Sequence, residues 1–242
     1  QLYRNACDGG APMGCSNLGT AFERGAGVER DLERARSLYR KACDDGSELG
    51  CSNLGQLYQK GKGVSRDLGR AKELFHRSCT DGRVAGCTSL GYLHQNGIGV
   101  ERDYRRARQL YRRACEGRGH GLGCANLGAL YSEGKGGERD DERAFEVNRE
   151  ACKRGNPTGC THLAAHYMSG RGTSRDFKRA RALSTRFCAR DTPQACLLAG
   201  QSFEFGKGGE RDLRRAETFY RRACRAGLQL ACEQLRDLKS VE

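Results

Sequence analysis

The chain has 242 residues with 14 Cys, 34 Gly, 3 Pro and a formal net charge of +13. Three prolines exclude a collagen-like chain, and no apolar run is long enough for a transmembrane helix. The N-terminus lacks the apolar segment of a signal peptide, so we expect any such leader to have been removed.

The cysteines recur in pairs with a period of 36 residues. Members of a pair are eight residues apart, except that Cys115 and Cys124 are nine apart. A fixed period of roughly 20 to 50 residues is the signature of stacked repeats. The sequence therefore predicts an all-α, right-handed α/α solenoid of about 6.5 helix-turn-helix repeats. We expect residues 1–242 to form a single domain of this kind.

The first helix of each repeat, helix A, is predicted by apolar residues at helical spacing. In the first copy these are Cys15, Leu18, Gly19 and Phe22, at i, i+3, i+4 and i+7. A Gly-x-Gly follows each copy except the last and can end the helix in the left-handed conformation. The predicted copies of helix A lie near 12–24, 48–60, 84–96, 121–133, 157–169, 193–205 and 229–240.

The second helix, helix B, begins after an Asp whose carboxylate can accept backbone N–H groups as an N-cap. These residues are Asp31, Asp67, Asp103, Asp140, Asp176 and Asp212. Each complete helix B continues to the first Cys of the next pair.

Glycine occupies the middle of helix A at Gly19, Gly55, Gly91, Gly128 and Gly200. A mid-helix Gly costs roughly 1 kcal/mol relative to Ala, so we expect a packing reason. The interpretation is close approach of a neighbouring helix, with the small Ala of helix B opposite the Gly.

The two ends depart from the repeat. Residues 1–7 align with residues 37–43, so the chain starts mid-repeat, and we expect further sequence before Gln1 in the natural protein. Near the other end, Arg236 and Lys239 replace the packing Gly and an aromatic residue. Such polar substitutions suit a C-terminal capping helix over 229–242.

Each cysteine pair spans the turn from helix B into the next helix A, where antiparallel helices bring two Cβ atoms into bridging range. Zinc sites favour two to four residues between paired Cys or nearby His, which disfavours metal binding here. Paired cysteines imply an oxidising compartment, so we expect a secreted or periplasmic protein. The seven predicted disulfides are Cys7–Cys15, Cys43–Cys51, Cys79–Cys87, Cys115–Cys124, Cys152–Cys160, Cys188–Cys196 and Cys224–Cys232.

The repeat pattern resembles the Sel-one-like repeat family, a relative of the tetratricopeptide repeat. Residues 54–58, Leu-Gly-Gln-Leu-Tyr, with the following Gly61, Gly63 and Asp67, carry the resemblance. The paired cysteines resemble the cysteine-rich branch of the family, typified by the Helicobacter cysteine-rich proteins. The resemblance implies a protein-interaction scaffold. It also offers two alternatives, a β-lactam-binding or β-lactam-hydrolysing protein and a haem-binding respiratory-chain assembly factor.

A candidate ligand surface follows from the side of helix A opposite its apolar face. Positions two, five and nine after the second Cys of a pair form a helical stripe, here named the A stripe. Side-chain amides there match the donor and acceptor of a peptide group, although an Asn can equally fix local helix geometry. The candidate binding residues are Asn17, Asn53, Gln56, Ser89, Tyr92, Asn126 and His162.

Positive charge is concentrated on helix B, whereas helix A is nearly neutral. A nucleic-acid groove would need basic residues that follow the phosphates. We therefore expect no specific nucleic-acid partner, and attraction to an anionic surface stays an open alternative.

Catalytic and cofactor signals are weak. Residues 132–135, Ser-Glu-Gly-Lys, match one short motif of penicillin-recognising enzymes, but the companion motifs are absent, so we assign no catalytic residue. His162 and His166 are i, i+4 on one helix and could share a metal or haem. His166 stands where other repeats have Leu, which favours packing. We therefore expect no metal and no cofactor.

The sequence thus predicts a monomeric repeat scaffold that binds a peptide or partner protein along helix A. The alternative is an enzyme rather than a binding scaffold, one that acts on β-lactams or cell-wall fragments. It rests on the family resemblance alone.

Overall fold

The computed structural model describes residues 1–80, 84–117, 121–189 and 192–239. Every helix or strand assigned within these residues is an α-helix, which confirms the all-α repeat prediction. The chain divides into two compact units, residues 1–119 and residues 120–242. A single solenoid over the whole chain stays a prediction.

The first unit alternates copies of helix B and helix A, beginning with a helix B. Its helices are α1 (Leu2–Asp8), α2 (Pro12–Arg24), α3 (Leu32–Asp44), α4 (Glu48–Lys60), α5 (Leu68–Arg77), α6 (Cys87–Asn96) and α7 (Tyr104–Glu116). Consecutive helices pack against each other, and α2 also contacts α4. The buried core of this unit includes Tyr39, Phe75 and Leu93.

The second unit begins with a helix A. Its helices are α8 (Leu122–Glu133), α9 (Asp141–Lys153), α10 (Pro157–Ser169), α11 (Phe177–Cys188), α12 (Pro193–Glu204), α13 (Leu213–Arg225) and α14 (Gln229–Lys239). Contacts between α8 and α10, and between α10 and α12, set copies of helix A side by side. Leu238 of α14 is buried with Phe203 and Tyr220.

The helix termini follow the predicted chemistry. Asp31 caps α3, because its carboxylate accepts the backbone N–H of Arg34 at 2.9 Å, and the same bond recurs at the start of each later helix B. Gly25 and Gly61 end α2 and α4 in the left-handed conformation, with φ of 71° and 65°.

The second Gly of the Gly-x-Gly has a separate structural role. A Cβ built on Gly63 would lie 2.6 Å from Cβ of Leu32, the first residue of the preceding helix B. A Cβ built on Gly99 would lie at the same distance from Cβ of Leu68. The loop of one repeat therefore packs directly on the helix of the repeat before it.

The mid-helix glycines do face a close neighbour, but the predicted partner was wrong. A Cβ on Gly55 would lie 2.7 Å from the ring of Phe75, and one on Gly91 would lie 2.7 Å from the ring of Tyr111. Helix B thus presents an aromatic ring to these glycines, rather than the small Ala, whereas Gly128 faces the amide of Asn148. The sequence agrees with this, because the repeat with Ala164 at the Gly position has Ser184 at the aromatic position.

Two helices differ from their predicted bounds by two residues or more. Helix α5 ends at Arg77 rather than at Cys79, and helix α6 starts at Cys87 rather than near residue 84. The backbone N–H groups of Val84 and Ala85 donate to Glu48 Oε2, at 3.0 and 3.4 Å, and this contact holds them outside the helix. Gly86 then fits tightly against Ser78 and the carbonyl of Phe75.

Disulfides join helix B to the following helix A. The bonded pairs are Cys7–Cys15, Cys43–Cys51, Cys79–Cys87, Cys152–Cys160, Cys188–Cys196 and Cys224–Cys232, with Cα separations of 4.4–4.7 Å. Cys115 and Cys124 are disulfide-bonded as well. The close approach depends on small residues beside the bridge, since a Cβ on Gly50 would lie 2.7 Å from Cβ of Ala42.

Candidate binding surface and cavity

The A stripe crosses neighbouring copies of helix A in each unit. In the first unit Asn17 lies on α2, Asn53 and Gln56 on α4, and Ser89 and Tyr92 on α6. The two Asn, Gln56 and Ser89 are half-buried, and Tyr92 is 46% exposed.

The amides of Asn17 and Asn53 have no hydrogen-bond partner within the described part of the chain. Neither amide is among the fully buried unpartnered groups, so both are accessible to solvent. This observation disfavours a role in fixing local helix geometry. Their donors and acceptors stay available to a ligand.

Another polar residue of the A stripe, Thr20, already has hydrogen-bond partners within the protein. Thr20 Oγ1 donates to the Ser16 carbonyl at 3.0 Å and lies 3.1 Å from the Tyr39 hydroxyl oxygen. The single proton of the Tyr39 hydroxyl is donated to Glu23 Oε2 at 2.9 Å, since a carboxylate can only accept. Burial raises the pKa of Tyr39 well above its usual range, and the Glu23 carboxylate adds to the shift. Thr20 and Tyr39 are therefore structural.

In the second unit, the A stripe opens into a cavity of about 220 Å³ between α8 and α10. Ala129 and Glu133 of α8 line it, together with His162, Ala165 and Ser169 of α10. All five are stripe positions, and the two alanines explain the space, since the corresponding residues Gln56 and Tyr92 are larger. Asn126 lies half-buried on α8 but does not line the cavity.

A buried polar pair lies beside the cavity. His166 also lines it, and its Nδ1 lies 2.8 Å from the Arg171 carbonyl oxygen, so Nδ1 carries the proton. Nε2 then accepts from Asn148 Nδ2 at 3.3 Å. Asn148 and His166 are 1% and 7% exposed. Both nitrogens of His166 are thus occupied, so it cannot serve with His162 as a haem or metal ligand in this arrangement.

His162 differs from His166. Its Nδ1 is buried without a hydrogen-bond partner in the described residues. Burial lowers the pKa of His162, His166 lowers it further, and Glu133 opposes the shift. His162 is therefore neutral at neutral pH.

The Ser-x-x-Lys match falls at the mouth of the cavity, where Ser132 is a lining residue. Lys135 Nζ lies 2.7 Å from Glu133 Oε2 in an exposed ion pair. That pairing gives Lys135 a surface role and lends no support to a penicillin-recognising site.

Two features of this region were missed at the sequence level. The separate departures Asn148 and His166 form one hydrogen-bonded pair, and Asp141 stands where other copies of helix B begin with Leu32, Leu68 or Phe177. An alignment of the repeats by helix position shows that Asp141, Asn148 and His166 all replace apolar or aromatic residues within two neighbouring repeats.

Comparison with protein-family models matches the Sel1 repeat at residues 12–47, 49–82, 84–118, 121–156, 157–191 and 193–228. The chain belongs to the Sel1 repeat family. Sel1 repeat proteins are typically protein-interaction scaffolds. A search of the curated proteins found no significant match.

Solved structures of Sel1 repeat proteins resemble the chain. A protective antigen of uropathogenic Escherichia coli with an SLR fold is 31% identical, with a TM-score of 0.77 over 98% of this chain and 50% of that one. This chain thus spans about half the length of that protein. A Sel1 repeat protein from Oxalobacter formigenes is 27% identical, with a TM-score of 0.74 over 88% and 84% of the two chains.

The cysteine-rich branch also appears among the similar structures. Helicobacter pylori cysteine rich protein B is 26% identical over 57% of this chain and 99% of that one, with a TM-score of 0.44. None of these comparisons favours β-lactam binding.

The paired cysteines indicate an oxidising compartment for this Sel1 repeat protein. In the described ranges, no helix is both long and apolar enough to cross a membrane. The same ranges contain no cluster of three or more His, Cys, Asp or Glu that could hold a metal ion.

Proposed function

We propose that this Sel1 repeat protein is a secreted or periplasmic scaffold that binds an extended peptide segment of a partner protein along its A stripe. The observation that carries the proposal is the pair of unpartnered, half-buried amides, Asn17 and Asn53, on the adjacent helices α2 and α4. The scaffold role of the family agrees with it.

The chemistry of the surface favours a peptide backbone as the ligand. An Asn amide offers two donors and one acceptor group, which complement the C=O and N–H of a peptide bond. Gln56 repeats that pattern one turn along α4, and the exposed Tyr92 ring adds apolar area with a polar tip. The same helices carry little net charge, which disfavours a phosphate backbone as the ligand.

The test begins with peptides selected from a random display library against the full, disulfide-bonded chain. Binding of a selected peptide to the double variant Asn17→Ala, Asn53→Ala is then measured by calorimetry. Each lost hydrogen bond contributes about 1 kcal/mol, so we expect affinity to fall by roughly tenfold or more.

The matched control is Gln109→Ala, which removes an exposed amide from α7, a copy of helix B. This variant should bind the peptide as the unaltered chain does. Unchanged affinity in the double variant, with unchanged thermal stability, would place the peptide away from the A stripe and refute the proposal.

A further inference from the structure

The A stripe differs in chemical character between the two units. On α2, α4 and α6 its residues are polar or charged, apart from the ring of Tyr92. On α8, α10 and α12, with the C-cap of α12, it includes the apolar residues Ala129, Ala165, Leu198 and Phe205. The stripe lies opposite the core face of helix A, so core packing does not require apolar residues there. Their presence on an outward face points to contact with another molecule.

Phe205 is the most exposed of these apolar residues. It is the C-cap residue of α12, and it is 58% exposed. Lys207 Nζ lies 5.4 Å from the centroid of its ring. An exposed ring stabilises the fold little, whereas it can bury a large apolar area against a ligand.

The cavity between α8 and α10 has few polar groups that are free to bind a ligand. Both ring nitrogens of His166 have partners, and Ser169 Oγ donates to a backbone carbonyl of its own helix at 2.9 Å. Asp141 and Glu133 each form an ion pair with a basic neighbour. Arg171, the remaining charged residue of the lining, is exposed to water. The accessible lining is mainly apolar, so it favours an apolar group and gives a charged group little compensation for lost hydration.

Small residues create the space in this cavity. Ala129 and Ala165 occupy the middle position of the stripe on adjacent helices, where α4 has Gln56 and α6 has Tyr92. An aromatic side chain of a ligand can therefore fill the place that the Tyr92 ring fills in its own repeat. The volume of about 220 Å³ accommodates one side chain of this size.

We infer that the A stripe of the second unit is a specificity site for apolar side chains of the bound peptide. One aromatic side chain enters the cavity against Ala129 and Ala165. Leu198 and Phe205 contact a further apolar residue of the same peptide. The inference rests on the proposed function, because these four residues belong to the stripe along which the peptide is proposed to bind.

The first test uses small probes and nuclear magnetic resonance on the full, disulfide-bonded chain. The probes are benzyl alcohol as the uncharged aromatic group, n-butylammonium as the cation and butyrate as the anion. We expect the methyl signals of Ala129 and Ala165 to shift saturably with benzyl alcohol, with a dissociation constant that is roughly millimolar for so few atoms. The two charged probes should bind more weakly.

The variant Ala165→Gln fills the cavity with the residue that Gln56 and Gln201 supply at the same repeat position, so we expect it to fold normally. Its affinity for benzyl alcohol should fall by about tenfold or more, because the ring loses its apolar contacts. The matched control is Ala182→Gln, the same change at an exposed Ala of α11. Its affinity should equal that of the unaltered chain.

The second test uses the selected peptide and the variant Phe205→Ala. Loss of an interface ring should weaken peptide binding by roughly tenfold. Thermal stability should not change, because the ring is exposed in the unbound chain.

Stronger binding of either charged probe, no saturable shift with any probe, or equal affinity in Ala165→Gln would each overturn the apolar site. These outcomes are separable from failure of the proposed function. A peptide that loses affinity in Asn17→Ala, Asn53→Ala but keeps it in Ala165→Gln and Phe205→Ala would leave the scaffold standing and remove only the apolar site.

Discussion

The side chain that faces the mid-helix Gly is an aromatic ring in the first unit, but it is an amide in one repeat of the second unit. In the first unit Gly55 faces the ring of Phe75, and Leu57, two residues further along α4, is buried. In the second unit Gly128 faces the amide of Asn148, which binds His166 at the position of Leu57. One arrangement depends on apolar packing and the other on a hydrogen bond between two buried polar side chains. The comparison shows that this backbone accepts a buried polar group when its neighbour changes with it.

The largest expected effect tests the apolar arrangement. Phe75→Ala removes a fully buried ring from the core of the first unit, so we expect the free energy of unfolding to fall by about 3–5 kcal/mol. Denaturant unfolding with the disulfides intact measures it. Phe205→Ala, at an exposed ring of the second unit, is the control and should change stability by less than about 0.5 kcal/mol.

The disulfides should contribute equally in both units, because their rings are of equal length. We expect the double Ser variant of Cys43 and Cys51 to lower the free energy of unfolding by about 2.6 kcal/mol in the chain-entropy model. The double Ser variant of Cys152 and Cys160 should lower it by the same amount. Both sequence separations are 8 residues. A difference of several kcal/mol between the two double variants would show that the units do not share one disulfide role.

The polar pair gives an intermediate effect. Asn148→Ala leaves Nε2 of His166 buried without a donor, so we expect a loss of about 1–3 kcal/mol. The double variant Asn148→Tyr, His166→Leu restores the pattern of the first unit. It should be more stable than the sum of the two single variants predicts, by about 0.5–3 kcal/mol in a double-mutant cycle. Additive effects would mean that the two residues are independent.

The smallest effect concerns protonation of His162. Its pKa is lowered in the folded chain by burial, so the unfolded chain binds more protons below pH about 6.5. The contribution of His162 to stability is therefore present above this pH and is lost as the pH falls below it. His162→Gln should remove that part of the acid dependence. An NMR titration of His162 with a pKa at or above 6.5 would contradict the burial argument.

The helices were predictable because their boundaries depend on local chemistry. Asp31 caps α3 and Gly25 ends α2 through interactions within a few residues, and both signals stand in the sequence. The start of α6 was not predictable in this way. It depends on Glu48, which lies 36 residues from Val84 and acts only in the folded chain.

The candidate site was partly predictable for the same reason. Helical spacing placed Asn17 and Asn53 on one face, because that face depends only on the helix period. The cavity arises instead from the space that Ala129 and Ala165 leave empty, and the hydrogen-bonded pair of Asn148 and His166 lies beside it. The residue spacing within a single helix predicts neither an empty space between two helices nor a contact between their side chains.

The most direct measurement is an NMR map of a selected peptide bound to the full chain. The scaffold account predicts that the side-chain NH₂ signals of Asn17 and Asn53 shift on binding and show contacts to the peptide backbone. It also predicts unchanged signals on exposed faces of helix B such as that of Gln109. Peptide contacts confined to the helix B faces, with both Asn signals unmoved, would contradict the account.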